Sequence, residues 1–167
     1  AALGANFVTE TDTETVALLT QHYMSQGLSP VDAATKTLTR LQGAFALAFL
    51  FDGEEDLMIG ARKGAPLAVG HGDNEMFLGS DAIALSPMTN RITYLEEGDR
   101  VILTRNSFEI FDANGSRANR AIKTISLDST RVDKAGHKHF MAKEIAEQPS
   151  VIAEALSHYV SADNVIS

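Results

Sequence analysis

Asp12 is the residue that we single out for binding chemistry, because it lies at the predicted start of a helix, within Thr11-Asp12-Thr13-Glu14. A carboxylate there can accept hydrogen bonds from free backbone N–H groups, or it can present an anionic oxygen to a cationic ligand. The local pattern favours capping, since Asp and Thr at such positions usually satisfy N–H groups. The pattern alone leaves both roles open.

Three other groups of polar residues have structural interpretations. Gly70-His71-Gly72 lacks the third glycine and the following helix of a phosphate-binding loop, which favours a turn. His137 and His139 have no cysteine or further histidine nearby, so we interpret them as part of a solvated linker and predict no metal site. The acids of Glu96-Glu97-Gly98-Asp99 favour an exposed turn over an acid–base pair.

The sequence offers no recognisable nucleophile. Its 167 residues include no cysteine, which excludes disulfides, thiolate metal sites and thiol catalysis by this chain. Ser80 and Ser86 lie outside any Gly-x-Ser-x-Gly elbow, so serine hydrolase chemistry is not predicted. We therefore assign no catalytic residue.

Composition and charge narrow the class of protein. Hydrophobic residues make up 44% of the sequence, which is typical of a soluble globular domain with a core. The formal net charge is −8 with 14 Lys and Arg, which argues against nucleic acid and anionic membranes as partners. No apolar run approaches the roughly 20 residues that cross a bilayer, and the first residues lack the pattern of a secretory signal. These features predict a cytoplasmic protein.

Two helices are predicted near the start of the sequence. Thr11 and Glu14 have the spacing of a capping box, and the first helix is predicted to end at Gly27. Ser29 is suited to cap the second helix, with Pro30 at its first position. The helix that positions Asp12 is therefore predicted to be the first element of the fold.

The hydrophobic period changes after the second helix. Residues 44–51 form a near-continuous apolar run, and residues 57–59 follow across an Asp52-Gly53 turn, which predicts a buried β-hairpin. Turn residues bound further short strands at residues 67–69, 76–78, 92–95, 100–104 and 107–111. We expect these strands to be faced by helices on both outer sides.

The composition becomes polar at residues 128–139, which predicts a linker and a domain boundary. Residues 140–147 and 150–160 have helical patterns, and Pro149 is predicted to separate them. This last part has too little apolar surface to fold alone.

An ordered series of segments resembles the glucosamine-6-phosphate synthase family, which opens with a class II glutamine amidotransferase domain. The segments are residues 7–14, 41–45, 61–67, 79–81, 95–99 and 141–149. The resemblance implies an α+β class: a partial N-terminal-nucleophile fold of four layers (αββα) with antiparallel sheets, then a linker and a C-terminal helix. Residues 1–127 would be the later portion of the glutaminase domain, 128–139 the linker, and 140–167 the opening helical segment of a sugar isomerase domain.

The resemblance also implies an activity. Members of the family hydrolyse glutamine with an N-terminal cysteine and transfer the ammonia to fructose 6-phosphate, giving glucosamine 6-phosphate. Asp12 matches the aspartate that binds the α-ammonium group of glutamine, which reverses the preference for capping. No cofactor is implied, and a homo-oligomer is expected.

The family's nucleophile, oxyanion hole and carboxylate clamp would precede Ala1, and its isomerising residues would follow Ser167. We therefore expect a fragment that keeps one substrate contact, is inactive alone and carries exposed strand edges. Two alternatives remain open: a fragment of another class II amidotransferase, or a stand-alone degenerate module that binds or regulates without catalysis.

Overall fold

The structure is a computed structural model that describes residues 7–125 and 137–159. These residues belong to two compact units, Ala1–Ser126 and Leu127–Ser167. Within the described residues, the first unit holds three helices and nine strands and the second holds one helix.

The two predicted helices are present as α1 (Asp12–Ser25) and α2 (Pro30–Leu38). The chain leaves α1 through Gly27, whose φ of 90° lies in the left-handed region that favours glycine. The Ser29 hydroxyl accepts a hydrogen bond from the Asp32 amide at 3.1 Å, so the predicted cap of α2 is confirmed.

Two antiparallel sheets follow the helices, with a short helix α3 (Ala82–Leu85) between strands of the second sheet. The strands are β1 (Phe45–Leu50), β2 (Met58–Lys63), β3 (Ala68–His71), β4 (Met76–Gly79), β5 (Arg91–Tyr94), β6 (Arg100–Leu103), β7 (Phe108–Phe111), β8 (Arg117–Ala118) and β9 (Lys123–Thr124). The five-stranded sheet has the order β1-β2-β6-β7-β8 and the four-stranded sheet has the order β4-β3-β5-β9.

Apolar side chains from both sheets form the core between them. The cluster consists of Leu67, Val69, Leu95, Val101, Leu103 and Ile110. The other face of the five-stranded sheet packs against α1 and α2, where Phe49 and Ile59 meet Ala34. The short helix α3 lies against β3 and β4. This layering confirms the predicted α+β class with two antiparallel sheets and helices outside them.

The β1–β2 hairpin is confirmed, but the prediction that it is buried is wrong for β1. This strand lies at the edge of its sheet, and its side chains alternate in exposure, with Phe49 8% and Leu50 77% exposed. Only the face that carries Phe49 is covered by the helices. An apolar run therefore does not distinguish a strand buried on both faces from an edge strand with one apolar face exposed.

The turn predicted at Gly70-His71-Gly72 is wrong for the first two of these residues, which lie in β3 and are buried. A Cβ atom added to Gly70 would lie 2.8 Å from the Thr89 side chain. The close packing of the Thr89 side chain against β3 therefore explains the glycine at position 70, which does not form a turn.

The second unit contains one continuous helix, α4 (Phe140–Tyr159), so the predicted break at Pro149 is wrong. A proline removes one helical hydrogen bond, and the neighbouring turns continue the helix on both sides. The Ser150 hydroxyl donates to the Glu147 carbonyl at 2.8 Å within this stretch.

The linker predicted at residues 128–139 lies largely outside the described residues, so the domain boundaries stay a prediction. Along residues 7–125 and 137–159, no helix is long and apolar enough to span a membrane.

Candidate functional site

Asp12 is the first residue of α1, and it is exposed to solvent. In the part of the chain that the structure describes, its carboxylate receives one hydrogen bond, a long one of 3.4 Å from the Thr13 hydroxyl. No backbone N–H group there donates to it. The carboxylate is therefore not used as a helix cap and keeps its capacity to accept hydrogen bonds from a ligand.

Glu14 holds the segment that leads into Asp12. Its carboxylate accepts hydrogen bonds from the backbone amides of Val8 and Thr9, both at 2.7 Å, and from the Thr9 hydroxyl at 2.5 Å. The pKa of Glu14 is lowered mainly by the hydrogen bond from the Thr9 hydroxyl and, to a smaller extent, by the bond from the Val8 amide. The anionic form of Glu14 thus fixes the backbone just before the helix.

The predicted capping box is wrong in its details. Thr11 stands at the N-cap position, but its side chain accepts no bond from the first turn and instead meets the Thr9 hydroxyl at 2.8 Å. Glu14 reaches past the Thr11 backbone to residues five and six positions earlier. The spacing identified the start of the helix correctly and its hydrogen bonds incorrectly.

A groove of about 400 Å³ lies beside Asp12, between the start of α1 and strand β1. Its lining consists of Asp12, Thr13, Thr15, Val16, Leu41, Gln42, Ala44, Phe45, Ala46 and Leu47. The volume suits a small metabolite. The polar groups of the lining are one carboxylate, one amide and two hydroxyls, and no lining residue is a Lys or Arg. The groove can hold an ammonium group, and it has no cation to pair with a carboxylate.

The acidic segment 96–99 separates into exposed and buried parts. The prediction of an exposed turn is right for Glu96 and Glu97 and wrong for Asp99, which is 1% exposed. Arg120 donates to both oxygens of Asp99 at 2.9 Å, and the Glu96 amide donates to one of them at 2.7 Å. Sequence analysis missed Arg120, because no local pattern pairs residues 21 positions apart. This pair stabilises the fold and lies outside the Asp12 groove.

His71 is buried in the core between the sheets. Its Nε2 lies 2.8 Å from the Thr93 hydroxyl. Its ring packs edge-on against the Phe108 ring, with 4.8 Å between the two ring centres. The pKa of His71 is lowered mainly by burial and, to a smaller extent, by the positive charge of Arg91. The structure does not bring His71 near Asp12 in a shared groove.

No group of three or more His, Asp or Glu side chains within the described ranges could hold a metal ion. His137 and His139 precede α4.

Comparison with curated proteins finds relatives that are named glutamine–fructose-6-phosphate aminotransferase. Over 157 residues, the chain is 56% identical to a glutamine–fructose-6-phosphate aminotransferase (isomerizing) of Mesorhizobium japonicum, with 94% of the chain covered. It is 53% identical over 159 residues to the protein of that name from Brucella abortus and 49% identical over 160 residues to that from Caulobacter vibrioides, with 95% and 96% of the chain covered. The chain is homologous to glutamine–fructose-6-phosphate aminotransferase.

The chain spans 26% of the length of each of these aminotransferases, so most of the aminotransferase sequence has no counterpart in it. No protein-family model matches the chain. The homology confirms the resemblance inferred from the ordered segments. It does not test the role of Asp12.

Proposed function

We propose that this chain is a fragment of an enzyme that hydrolyses glutamine and transfers its nitrogen to fructose 6-phosphate, giving glucosamine 6-phosphate. The support is the name carried by relatives at 49–56% identity. In this proposal residues 1–127 are the later portion of the glutamine-hydrolysing domain and residues 140–167 open the isomerase part.

Within that enzyme, Asp12 would bind the α-ammonium group of glutamine. The observation that carries this assignment is the carboxylate left without a backbone partner beside an amino-acid-sized groove. A charge-assisted hydrogen bond between ammonium and carboxylate is short and strong compared with a neutral one. Gln42 and the hydroxyls of Thr13 and Thr15 supply further polar contacts along the groove.

The remaining parts of the reaction would come from other segments of the polypeptide. The sequence has no cysteine, so a thiol nucleophile must lie outside it. The groove lining has no cation, so a charged partner for the α-carboxylate of glutamine would also come from other segments. We propose that this chain alone is catalytically inactive, and that the complete enzyme is a cytoplasmic homo-oligomer.

A chimera tests the role of Asp12. In it, this chain replaces the matching 157 residues of the Mesorhizobium japonicum aminotransferase, and KM and kcat for glutamine are measured with and without Asp12→Asn. We expect KM for glutamine to rise about 10- to 100-fold, because a hydrogen bond to a charged group contributes about 1.5–3 kcal/mol.

The matched control is Asp73→Asn, which removes an exposed charge outside the groove lining. It should leave KM unchanged. If Asp12→Asn also leaves KM unchanged, Asp12 does not bind glutamine. If the chimera with the native segment synthesises no glucosamine 6-phosphate, the proposed function itself is wrong.

A further inference from the structure

A second pocket, of about 350 Å³, lies on the helix-facing side of the five-stranded sheet, between the end of α2 and strands β2 and β6. It shares the walls Leu41 and Phe45 with the Asp12 groove, and its charged residues are different ones. Those charged residues are Arg62, Lys63, Glu97, Asp99, Arg100 and Asp112.

The carboxylates of this pocket already have partners. Both oxygens of Glu97 accept from the Gly64 amide, at 2.9 and 3.0 Å, and one of them pairs with Arg62 at 3.3 Å. Asp99 accepts two bonds from Arg120 at 2.9 Å. These acids are neutralised or bound by the protein itself.

Within the described residues, the carboxylate of Asp112 is bound by the protein through one oxygen only. One of its oxygens accepts from the backbone amides of Asn114 and Ser116, both at 2.9 Å, which shapes the turn after β7. Its charge is near enough to favour the protonated form of Arg100, but no ion pair joins the two side chains.

Arg100 is a cation of the pocket lining whose side chain has no acceptor among the described residues. Its guanidinium carbon lies 4.6 Å from the centre of the Phe111 ring, which is within the range of a cation–π contact. Among the described residues no oxygen accepts a hydrogen bond from its side chain, and its buried Nε has no partner. Burial lowers the pKa of Arg100, as expected for a guanidinium that loses water without gaining a counter-ion.

Part of the Arg62 guanidinium also lacks a hydrogen-bond acceptor in the described part of the chain. One terminal nitrogen donates to the Leu95 carbonyl at 2.9 Å, while its Nε is buried without a partner. Lys63 adds a third cation to the pocket lining. The buried Nε atoms are out of reach of a ligand, but the terminal nitrogens of Arg100 and the ammonium of Lys63 have no acceptor among the described residues, so a ligand that binds them must supply acceptors.

We propose that this pocket binds a small oxyanion, either a phosphate or a carboxylate group, through the guanidinium of Arg100. The planar fork of arginine fits two oxygens of either group at once. Salt screens the attraction between an anion and the cations of the pocket, so binding should weaken as salt rises. The inference is independent of the role of Asp12.

The test is a titration of the 167-residue chain with inorganic phosphate and, separately, with succinate, followed by the backbone amide NMR shifts of Gly98, Arg100 and Ala113. Saturable shifts with phosphate alone, succinate alone or both support the proposal and identify the oxyanion. Arg100→Gln should weaken binding at least 10-fold, and Arg100→Lys, which keeps the charge and loses the fork, should weaken it less.

Arg105→Gln is the matched control, because Arg105 is exposed and outside the pocket, and it should leave the titration unchanged. Should Arg100→Gln fail to fold, Lys63→Gln provides a second variant, with an expected loss of at least threefold. An absence of saturable shifts, or shifts that persist undiminished in these variants, would overturn the proposal. Asp12→Asn should not alter the titration, which separates this result from the proposed glutamine site.

Discussion

Asp99 carries a charge into the interior, and Arg120 together with one backbone amide satisfies it. Such a group stabilises the fold only while its partners remain, because a buried charge without them is costly. The pair connects the turn before β6 to the segment after β8, two regions that no strand pairing joins.

Asp99→Asn tests this role. We expect the free energy of unfolding to fall by about 3 kcal/mol, the low end for breaking a buried ion pair, since asparagine keeps the size and one acceptor. Urea titration measures the change. Glu96→Gln, at an exposed partner of the same arginine, should cost under about 1 kcal/mol, and an equal cost for both variants would contradict the account.

His71 should make stability depend on pH. The pKa of His71 in the folded protein lies below its usual value of 6.5, so the unfolded chain takes up a proton first as the pH falls. Stability from this residue is therefore complete above about pH 6.5 and is lost as the pH decreases toward the folded pKa. Thr93, Phe108 and Arg91 surround the ring, and none offers a carboxylate to stabilise the imidazolium.

His71→Gln should flatten the loss of stability between about pH 6.5 and 5, because glutamine does not titrate there. Thermal unfolding across that range measures it. His22→Gln, on the partly exposed surface of α1, should retain the wild-type slope. A wild-type slope in His71→Gln would contradict the assignment.

Residue-level prediction from sequence succeeded where the signal was local and failed where it was not. The helix start at Asp12 was predicted correctly because neighbouring residues mark it, while the binding role of Asp12 stays a prediction. The ion pair of Arg120 with Asp99 and the contact of Arg100 with the Phe111 ring join residues far apart in sequence, so they depend on tertiary packing, which no window of sequence contains.

At the scale of elements, the start of α1 depends on Glu14, which anchors the residues before it instead of closing a capping box. Glu14→Gln keeps one acceptor oxygen and removes the charge. We expect amide hydrogen exchange at Val8 and Thr9 to become several-fold faster, which NMR can follow residue by residue. Glu10→Gln is the control, and equal exchange in the two variants would argue against the anchor.

Most strands were predictable because a period of two ends at a turn residue, as at β6 and β7. The two-residue strands β8 and β9 were missed because two residues carry no period. The break predicted at Pro149 failed because the remaining helical hydrogen bonds outweigh the one that proline removes.

At the scale of the whole molecule, β1 is an unprotected edge. Residues 41–51 contain no charged side chain, whereas natural edge strands commonly carry Lys or Pro that prevents pairing. Leu50 on this strand is 77% exposed. The exposed edge expected from the sequence is thus present in the described part of the fold.

We expect the isolated chain to self-associate through β1, and Leu50→Lys to weaken that association at least 10-fold through charge repulsion across the pairing. Sedimentation at several concentrations measures it. Ile83→Lys, at an exposed apolar residue on α3, should have no such effect. A wild-type chain that stays monomeric at all concentrations would contradict this expectation.

The groove beside Asp12 pairs a negative charge with no positive one. In the proposed enzyme, selectivity for glutamine would therefore depend on this chain together with another segment of the polypeptide. Under the role proposed for Asp12, this chain would select amines over neutral compounds, but it would offer no cation to the carboxylate of an amino acid. We infer that recognition of glutamine as an acid, and hence rejection of polyamines, arises only when a basic side chain from the rest of the enzyme faces the same cleft.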